Sequence, residues 1–174
     1  HHYLGCNYRI TQLQTALLRT QLKRLDEQTR IRHQNGTYLN SLLEKITADF
    51  LAIKNQYDTA HDQCKAIMSL LFDLTESKPE QMSFMLYAKH REFIPTVTPI
   101  CSSRPFAIMR EMVQAGIEKK EIVDLDLTIV SNCLFGGMFR LINLRLDNTI
   151  SGPLPEQLES VWNCSWRSIA AHPD

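Results

Sequence analysis

Residues 124–147, DLDLTIVSNCLFGGMFRLINLRLD, decide the fold of this chain. Their apolar side chains fall on every side of a helix instead of along one stripe, so a helix here must be covered all round. One side can pack on its own domain, and the other needs a second body, most simply a second copy of the chain. Gly136 and Gly137 each cost the helix about 1 kcal/mol relative to alanine. We therefore expect another backbone to approach closely at this point.

The rest of the chain also carries helical patterns, and its six glycines are too few to mark many turns. Thr11 and Gln14 have the spacing of a capping box, and Pro79 suits the first turn of a helix. The predicted helices cover residues 10–25, 26–45, 58–75, 79–93, 105–119 and 155–171, with a loop at 94–104. The sequence therefore predicts an all-α fold.

Composition places the chain among ordinary globular proteins. It has 174 residues, of which 44% are hydrophobic and 22% are charged, values typical of a domain with a real core. No signal peptide is visible, and no stretch approaches the roughly 20 apolar residues of a membrane span. The five cysteines are scattered without a Cys-x-x-Cys pair, which is typical of reduced thiols. We expect a cytoplasmic protein without a membrane partner.

Charge divides the chain near residue 46. Residues 1–46 hold seven basic and three acidic residues, a balance of +4, and residues 47–174 hold twelve and sixteen, a balance of −4. Because nucleic acid favours a basic surface, the larger segment is a poor candidate for touching DNA itself.

A series of short motifs runs in order through residues 47–174. They are LFDL at 71–74, KPE at 78–80, HREFIP at 90–95, MVQAGIE at 112–118, EI at 121–122, DLD at 124–126, LFGG at 134–137, RL at 140–141, RLD at 145–147 and WRSIAA at 166–171. In this order they resemble the ligand-binding and dimerisation domains of TetR-type transcriptional regulators. The resemblance implies a multi-helix effector domain whose last two long helices pair with those of a second subunit. It also implies an internal pocket for a small, apolar effector.

Methionines and aromatic residues could line such a pocket, because they give an adaptable apolar surface. The pocket candidates are Phe72, Phe84, Met85, Tyr87, His90, Met109 and Met112. The alternative for each is an ordinary place in the core, where methionine commonly fills gaps. The candidates for a homodimer interface are Phe135, Gly136, Gly137, Phe139, Trp162 and Trp166.

The opening of the chain carries motifs of a different kind. They are LGCNYRIT at 4–11, QTAL at 14–17 and QLKRLD at 21–26. They resemble a fragment of the DegT/StrS sugar aminotransferases, which are dimeric pyridoxal-phosphate enzymes of α/β fold. The resemblance implies that Asn7 reaches the cofactor phosphate of the other subunit, and an amide can donate to a phosphate oxygen. A helix-turn-helix, with which a TetR-type regulator begins, is not recognisable here.

A complete cofactor site needs more than one asparagine. The Schiff-base lysine and the group that holds the pyridinium nitrogen lie outside so short a resemblance, and Lys23 and Lys45 stand in helical contexts. A site must be complete to function. The sequence therefore predicts no bound cofactor and no enzymatic activity.

Two further constellations have plainer explanations. His61 and Cys64 are three apart on a predicted helix, a spacing that can share a metal, but a structural zinc normally needs four ligands, so no metal is predicted. The basic stretch from Arg19 to Arg32 could meet nucleic acid, although charged helix faces are usually just solvated.

The leading hypothesis is a ligand-sensing and dimerisation domain at residues 47–174, preceded by a helical segment at 1–46. DNA would be a partner only if a DNA-binding domain is present elsewhere. The alternative is a non-catalytic aminotransferase fragment fused to an unrelated helical domain, and a third possibility is a helical dimer without a ligand. The identity of the effector, the regulated genes and the origin of the junction stay open, as does whether residues 1–46 pack on the rest.

Overall fold

The computed structural model describes residues 11–87 and 103–172. These ranges form helices α1 (Gln12–Gln56), α2 (Ala60–Ser77), α3 (Pro79–Tyr87), α4 (Arg104–Glu118), α5 (Leu127–Leu146) and α6 (Leu158–Arg167), with a 3-10 helix at Leu154–Gln157. Within the described ranges there is no β-strand, and Ile122 and Ala170 form an isolated bridge. The predicted all-α fold is confirmed.

Helix α1 begins as the sequence predicts. The Thr11 hydroxyl accepts from the backbone N–H of Gln14 at 3.2 Å, and the Gln14 side chain accepts from the backbone N–H of Thr11 at 2.9 Å. This reciprocal pair is the capping box. The helix then runs without a break to Gln56, so the predicted separation into helices 10–25 and 26–45 is wrong. No proline interrupts the segment, and its single glycine, Gly36, is buried inside the helix.

The ends of α1 and α2 are joined by a tight corner. Thr59 caps α2 by accepting from the backbone N–H of Asp62 at 3.0 Å. The buried Gln63 amide donates to the carbonyl oxygens of Lys54 and Tyr57 at 3.1 and 2.7 Å. Because helix ends leave carbonyl groups without intrahelical partners, this amide fixes the direction in which the chain turns back.

Helix α2 forms the centre of the bundle. It packs on α1, α3, α4, α5, α6 and the 3-10 helix, and Cys64, Ile67, Met68 and Phe72 are completely buried. Helix α1 joins this core through its second half, where its buried residues run from Gly36 to Phe50 and the half-buried Ile53 also packs on the core. The predicted boundary near residue 46 therefore falls inside a continuous helix that packs on the bundle on both sides of that point.

Close packing and one ion pair hold the later helices against α2. A Cβ atom added to Gly116 of α4 would stand 2.7 Å from the Ala60 Cβ, so only glycine lets these helices approach so closely. The Arg145 guanidinium donates twice to the Glu76 carboxylate, at 2.9 Å each. This bidentate bond holds the pKa of Glu76 below its usual range, and the same carboxylate accepts from the backbone N–H of Leu154.

Helix α5 is the apolar helix that the sequence singled out. By length and composition alone it could cross a membrane, since its mean hydropathy reaches 1.4 over its most apolar window. The core helix of a water-soluble protein passes the same test, but only 28% of this window is buried. Val130, Leu134, Met138 and Ile142 are among the residues buried against the rest of the chain.

Candidate functional site

An apolar cavity lies between α1, α3 and α4, with single contributions from α2 and α5. Its lining residues are Leu43, Ile46, Phe50, Leu71, Met82, Met85, Leu86, Pro105, Phe106, Met109 and Phe139. All of these side chains are apolar, and the free volume between them is ≈ 40 Å³. Pockets that hold drug-sized ligands measure roughly 300–1,000 Å³, so a ligand of that size fits only if the lining moves. Three flexible methionine side chains make such movement cheap.

A second hollow, lined mainly by α1 and α3, adjoins this cavity. It shares Ile46, Met82 and Met85 with the cavity, and Lys45 and Lys78 stand among its lining residues. Both lysines are exposed. The exposed Asp49 belongs to the same lining, so the two hollows together have an apolar interior with charges of both signs at one edge.

Two of the seven predicted pocket residues line the cavity, namely Met85 and Met109. Phe72 and Met112 are completely buried in the core, which is the alternative that the sequence left open for every candidate. They lie on faces of α2 and α4 that other helices cover, and a single sequence does not distinguish such faces from the cavity wall.

The remaining pocket candidates lie apart from the cavity. Phe84 is half-buried and packs against the Tyr38 ring, with 5.4 Å between the ring centroids. Tyr87 is exposed, and its hydroxyl donates to the Asp147 carboxylate at 3.1 Å. This hydrogen bond and partial desolvation raise the Tyr87 pKa, desolvation being the larger cause. His90 lies outside the described residues.

The predicted interface residues divide into an outer and an inner group. Gly136 and Gly137 are exposed on α5, and a Cβ atom added to either would meet nothing within 4 Å. Phe135 and Trp162 are buried within their own chain, so they support this face from beneath. Phe139 is also occupied, since it stacks on Phe106 at 5.3 Å. None of the described residues makes the close approach expected at the two glycines.

Sequence analysis missed an aromatic cluster around His61. The Trp162 indole N–H donates to the His61 Nε2 at 2.9 Å, and the His61 Nδ1 lies 2.8 Å from an Asp62 oxygen. Trp166 stacks on Trp162 and meets the edge of the imidazole. The hydrogen bond with His61 lowers the Asp62 pKa. His61 and Trp162 are 101 residues apart in the sequence, so local spacing does not reveal the contact.

Cys64, which with His61 formed the candidate metal-binding pair, has a structural role. Cys64 is completely buried, and burial raises the pKa of its thiol far above the ordinary range. Because metals bind the thiolate, this environment opposes coordination. No group of three or more potential ligands occurs among the described residues.

A comparison with models of known protein families places a match over residues 1–107, to the DegT/DnrJ/EryC1/StrS aminotransferase family. No curated protein and no solved structure matches the chain. The resemblance to TetR-type regulators gains no support from these comparisons. The prediction that the chain is not an enzyme is contradicted by the family match, which points to an aminotransferase origin. The prediction of no enzymatic activity rested on the residues that a complete cofactor site needs. The resemblance on which it drew covers only residues 1–46.

Proposed function

Because the chain belongs to the DegT/DnrJ/EryC1/StrS aminotransferase family, we propose that it works within a pyridoxal-phosphate-dependent sugar aminotransferase. In this proposal Asn7 donates an amide N–H to the cofactor phosphate of a partner subunit. The observation that carries it is the family match over residues 1–107, together with the motif around Asn7. Asn7 itself lies outside the described residues.

The described residues do not fit the covalent part of such a site. A Schiff-base lysine needs an enclosed position beside the cofactor. Lys54 is bound to Glu111 at 2.7 Å and Lys65 to Glu159 at 2.8 Å, and the other described lysines, Lys23, Lys45, Lys78, Lys119 and Lys120, are exposed. Lys89 lies outside the described residues. The proposal therefore concerns the phosphate contact alone.

A phosphate contact can be tested without Schiff-base formation. Pyridoxamine phosphate is the suitable probe, because its amine does not condense with lysine, and its fluorescence anisotropy reports binding. We expect saturable binding that Asn7→Ala weakens about tenfold, the loss of roughly one hydrogen bond to a charged group. Asn55→Ala, at an exposed position of α1, is the matched control. Absence of saturable binding, or equal binding by both variants, would contradict the proposal.

A second candidate function is favoured by the apolar cavity. We propose that residues 47–174 sense a small apolar molecule, as the resemblance to TetR-type effector domains implies, and that Met85 and Met109 move aside to admit it. The support is an entirely apolar lining contributed by five helices. The closed volume of ≈ 40 Å³ means that binding must be coupled to rearrangement of the lining.

A panel of small apolar compounds tests the cavity, because a ligand that binds the folded state must raise the melting temperature. Leu86→Trp would fill the cavity and abolish the rise. Leu70→Trp, at a half-buried position that does not line the cavity, would leave it intact. If no compound stabilises the protein, or if both tryptophan variants respond equally, effector binding at this site is excluded.

The same proposal includes a homodimer through the exposed face of α5. Gly136 and Gly137 lie there beside Ile129, which is 57% exposed. Gly137→Glu would introduce a charge where a second backbone should approach, and its Cβ would meet no described residue within 4 Å. We expect light scattering to show loss of association, and Ala48→Glu, on an exposed position of α1, to leave association unchanged. A Gly137→Glu protein that associates as before would remove this interface.

A further inference from the structure

The first half of α1 carries an apolar surface that no described part of the chain covers. Leu18, Leu22 and Leu25 are 49%, 63% and 47% exposed, whereas Leu39 and Ile46 on the same helix are buried. We call residues 11–35 the arm. Contiguous exposed leucines on a helix that stands in water indicate an interaction site.

Three of the five arm leucines, Leu18, Leu22 and Leu25, belong to a seven-residue pattern that runs along most of α1, whereas the exposed Leu13 and Leu17 lie outside it. One column contains Leu18, Leu25, Arg32, Leu39, Ile46 and Ile53, and the adjacent column contains Thr15, Leu22, Thr29, Gly36, Leu43 and Phe50. Two such columns form the seam of a coiled coil. Beyond Gly36 the chain's own α2, α3 and α4 pack on α1. A second helix laid along the arm would continue that packing over the part of the seam left open.

We propose that the arms of two copies of this chain pair antiparallel as a short coiled coil, with Leu22 of each copy beside Leu25 of the other. Charge at the edges of the seam favours this partner. Arg19 and Asp26 lie seven residues apart along one edge of the seam. In an antiparallel pair, this edge of one helix faces the same edge of the other helix, which runs in the opposite direction. Arg19 of each copy then meets Asp26 of the other, which gives two equivalent ion pairs.

The opposite edge of the seam raises no barrier to self-pairing. It contains Gln14, Gln21 and Gln28, whose amides carry no charge and can both donate and accept hydrogen bonds. No pair of like charges is therefore brought together at either edge. This self-complementarity is the requirement of a two-fold interface, in which one surface contacts its own copy.

The position of the bundle excludes the parallel arrangement. Because α2, α3 and α4 cover α1 beyond Gly36, a parallel partner would bring its own bundle into the same space. In the antiparallel pair the bundles stand at opposite ends. With Leu22 beside Leu25, Thr11 of one copy lies opposite Gly36 of the other, so the overlap ends where the bundle begins. The overlap is about 35 Å long at 1.5 Å per residue.

An anionic membrane is the other body that could cover a basic, amphipathic helix. The arm holds five basic and two acidic residues. Asp26 at the edge of the apolar seam would oppose an anionic surface, and the glutamine edge would gain nothing from it. These residues favour a second copy of the chain.

The first test compares two exposed leucines in the whole protein by size exclusion with light scattering. Leu22→Glu would halve the mass of the assembly, because it places a charge at the centre of the seam. Leu125→Glu, at a 59% exposed leucine outside the arm, would leave the mass unchanged. Since Gly137→Glu addresses the α5 face separately, failure of one interface is distinguishable from failure of the other. An unchanged mass for Leu22→Glu would overturn the arm pairing.

The second test reads the antiparallel order directly. Arg19→Asp and Asp26→Arg would each raise the dissociation constant about tenfold, because each opposes like charges twice. The double variant would restore association to within about twofold of the original, since the pairs reform with reversed sign. The proposal would be overturned if the double variant did not recover association. It would also be overturned if the protein were monomeric and Leu22→Glu abolished its binding to phosphatidylserine vesicles.

Discussion

Removal of residues 1–46 should unfold this protein, whereas removal of residues 1–31 should leave the bundle intact. The reason lies in the second half of α1. Leu39, Leu42 and Ile46 are 1%, 8% and 8% exposed, so all three are core residues although they precede the predicted boundary at residue 46. The described residues before Arg32 contribute no buried side chain.

The size of the loss follows from burial. Truncating a buried leucine or isoleucine to alanine costs about 2–5 kcal/mol. Losing three such side chains therefore costs about 6–15 kcal/mol, which equals the whole stability of an ordinary domain, about 5–15 kcal/mol. Among the described residues, the shorter deletion removes exposed side chains and the half-buried Gln28, and its expected effect on a single chain is below about 0.5 kcal/mol.

Urea unfolding followed by circular dichroism measures both variants, at a protein concentration where light scattering shows single chains. Leu39→Ala and Leu22→Ala in the full chain form the matched point-mutation pair, with expected losses of about 2–5 kcal/mol and under about 0.5 kcal/mol. A protein that lacks residues 1–46 but unfolds at the same urea concentration as the full chain would refute the packing of α1 on the bundle.

The remaining predictions concern single contacts. Gly116→Ala should destabilise the protein by about 1–3 kcal/mol through overpacking, whereas Gly136→Ala on open surface should stabilise it by up to about 1 kcal/mol, and thermal unfolding compares the two; equal effects would contradict the close approach at Gly116. Glu76→Gln should cost about 1.5–3 kcal/mol at neutral pH, because it breaks a charged bidentate bond. The pKa of Glu76 is lowered by Arg145, so the difference from the original protein should shrink as the pH falls below the usual glutamate range and disappear below that lowered pKa; a difference that persists in acid would refute the ionic cause. His61→Leu should leave a buried indole N–H without its acceptor and cost about 1–3 kcal/mol, read as a lower melting temperature with a shifted tryptophan emission; unchanged emission would show that the contact is not made.

Local chemistry predicted the helices and their starts. The capping box at Thr11 and the proline start at Pro79 are both present, because such signals act within one turn of the chain. The continuity of α1 was not predictable in the same way. A change from apolar to polar composition near Asp26 suggested a new helix. Composition, however, determines which face of a helix packs against other elements, and it does not by itself end the helix. Helices end where a capping group or a proline stops them.

The candidate site was predictable only in part, for a geometric reason. Methionine and aromatic content singled out Met85 and Met109, which line the cavity, but the same content describes Phe72 and Met112, which other helices cover. Leu43 and Ile46 line the cavity as well. They were overlooked because they belong to the segment that resembles a different family.

The cavity is shared between the two segments that resemble different families, residues 1–46 and residues 47–174. The cavity takes Leu43 and Ile46 from the segment before residue 47, and takes Met85, Met109 and Phe139 from the segment after it. Neither segment can enclose the cavity without the other. Since the family match also extends to residue 107, beyond the cavity wall in α3 and into α4, the two parts are joined by shared packing as well as by the chain. A ligand in the cavity would contact Leu43 and Ile46 of α1, the helix that also carries the arm, so the proposed effector site and the proposed arm pairing would involve one continuous helix.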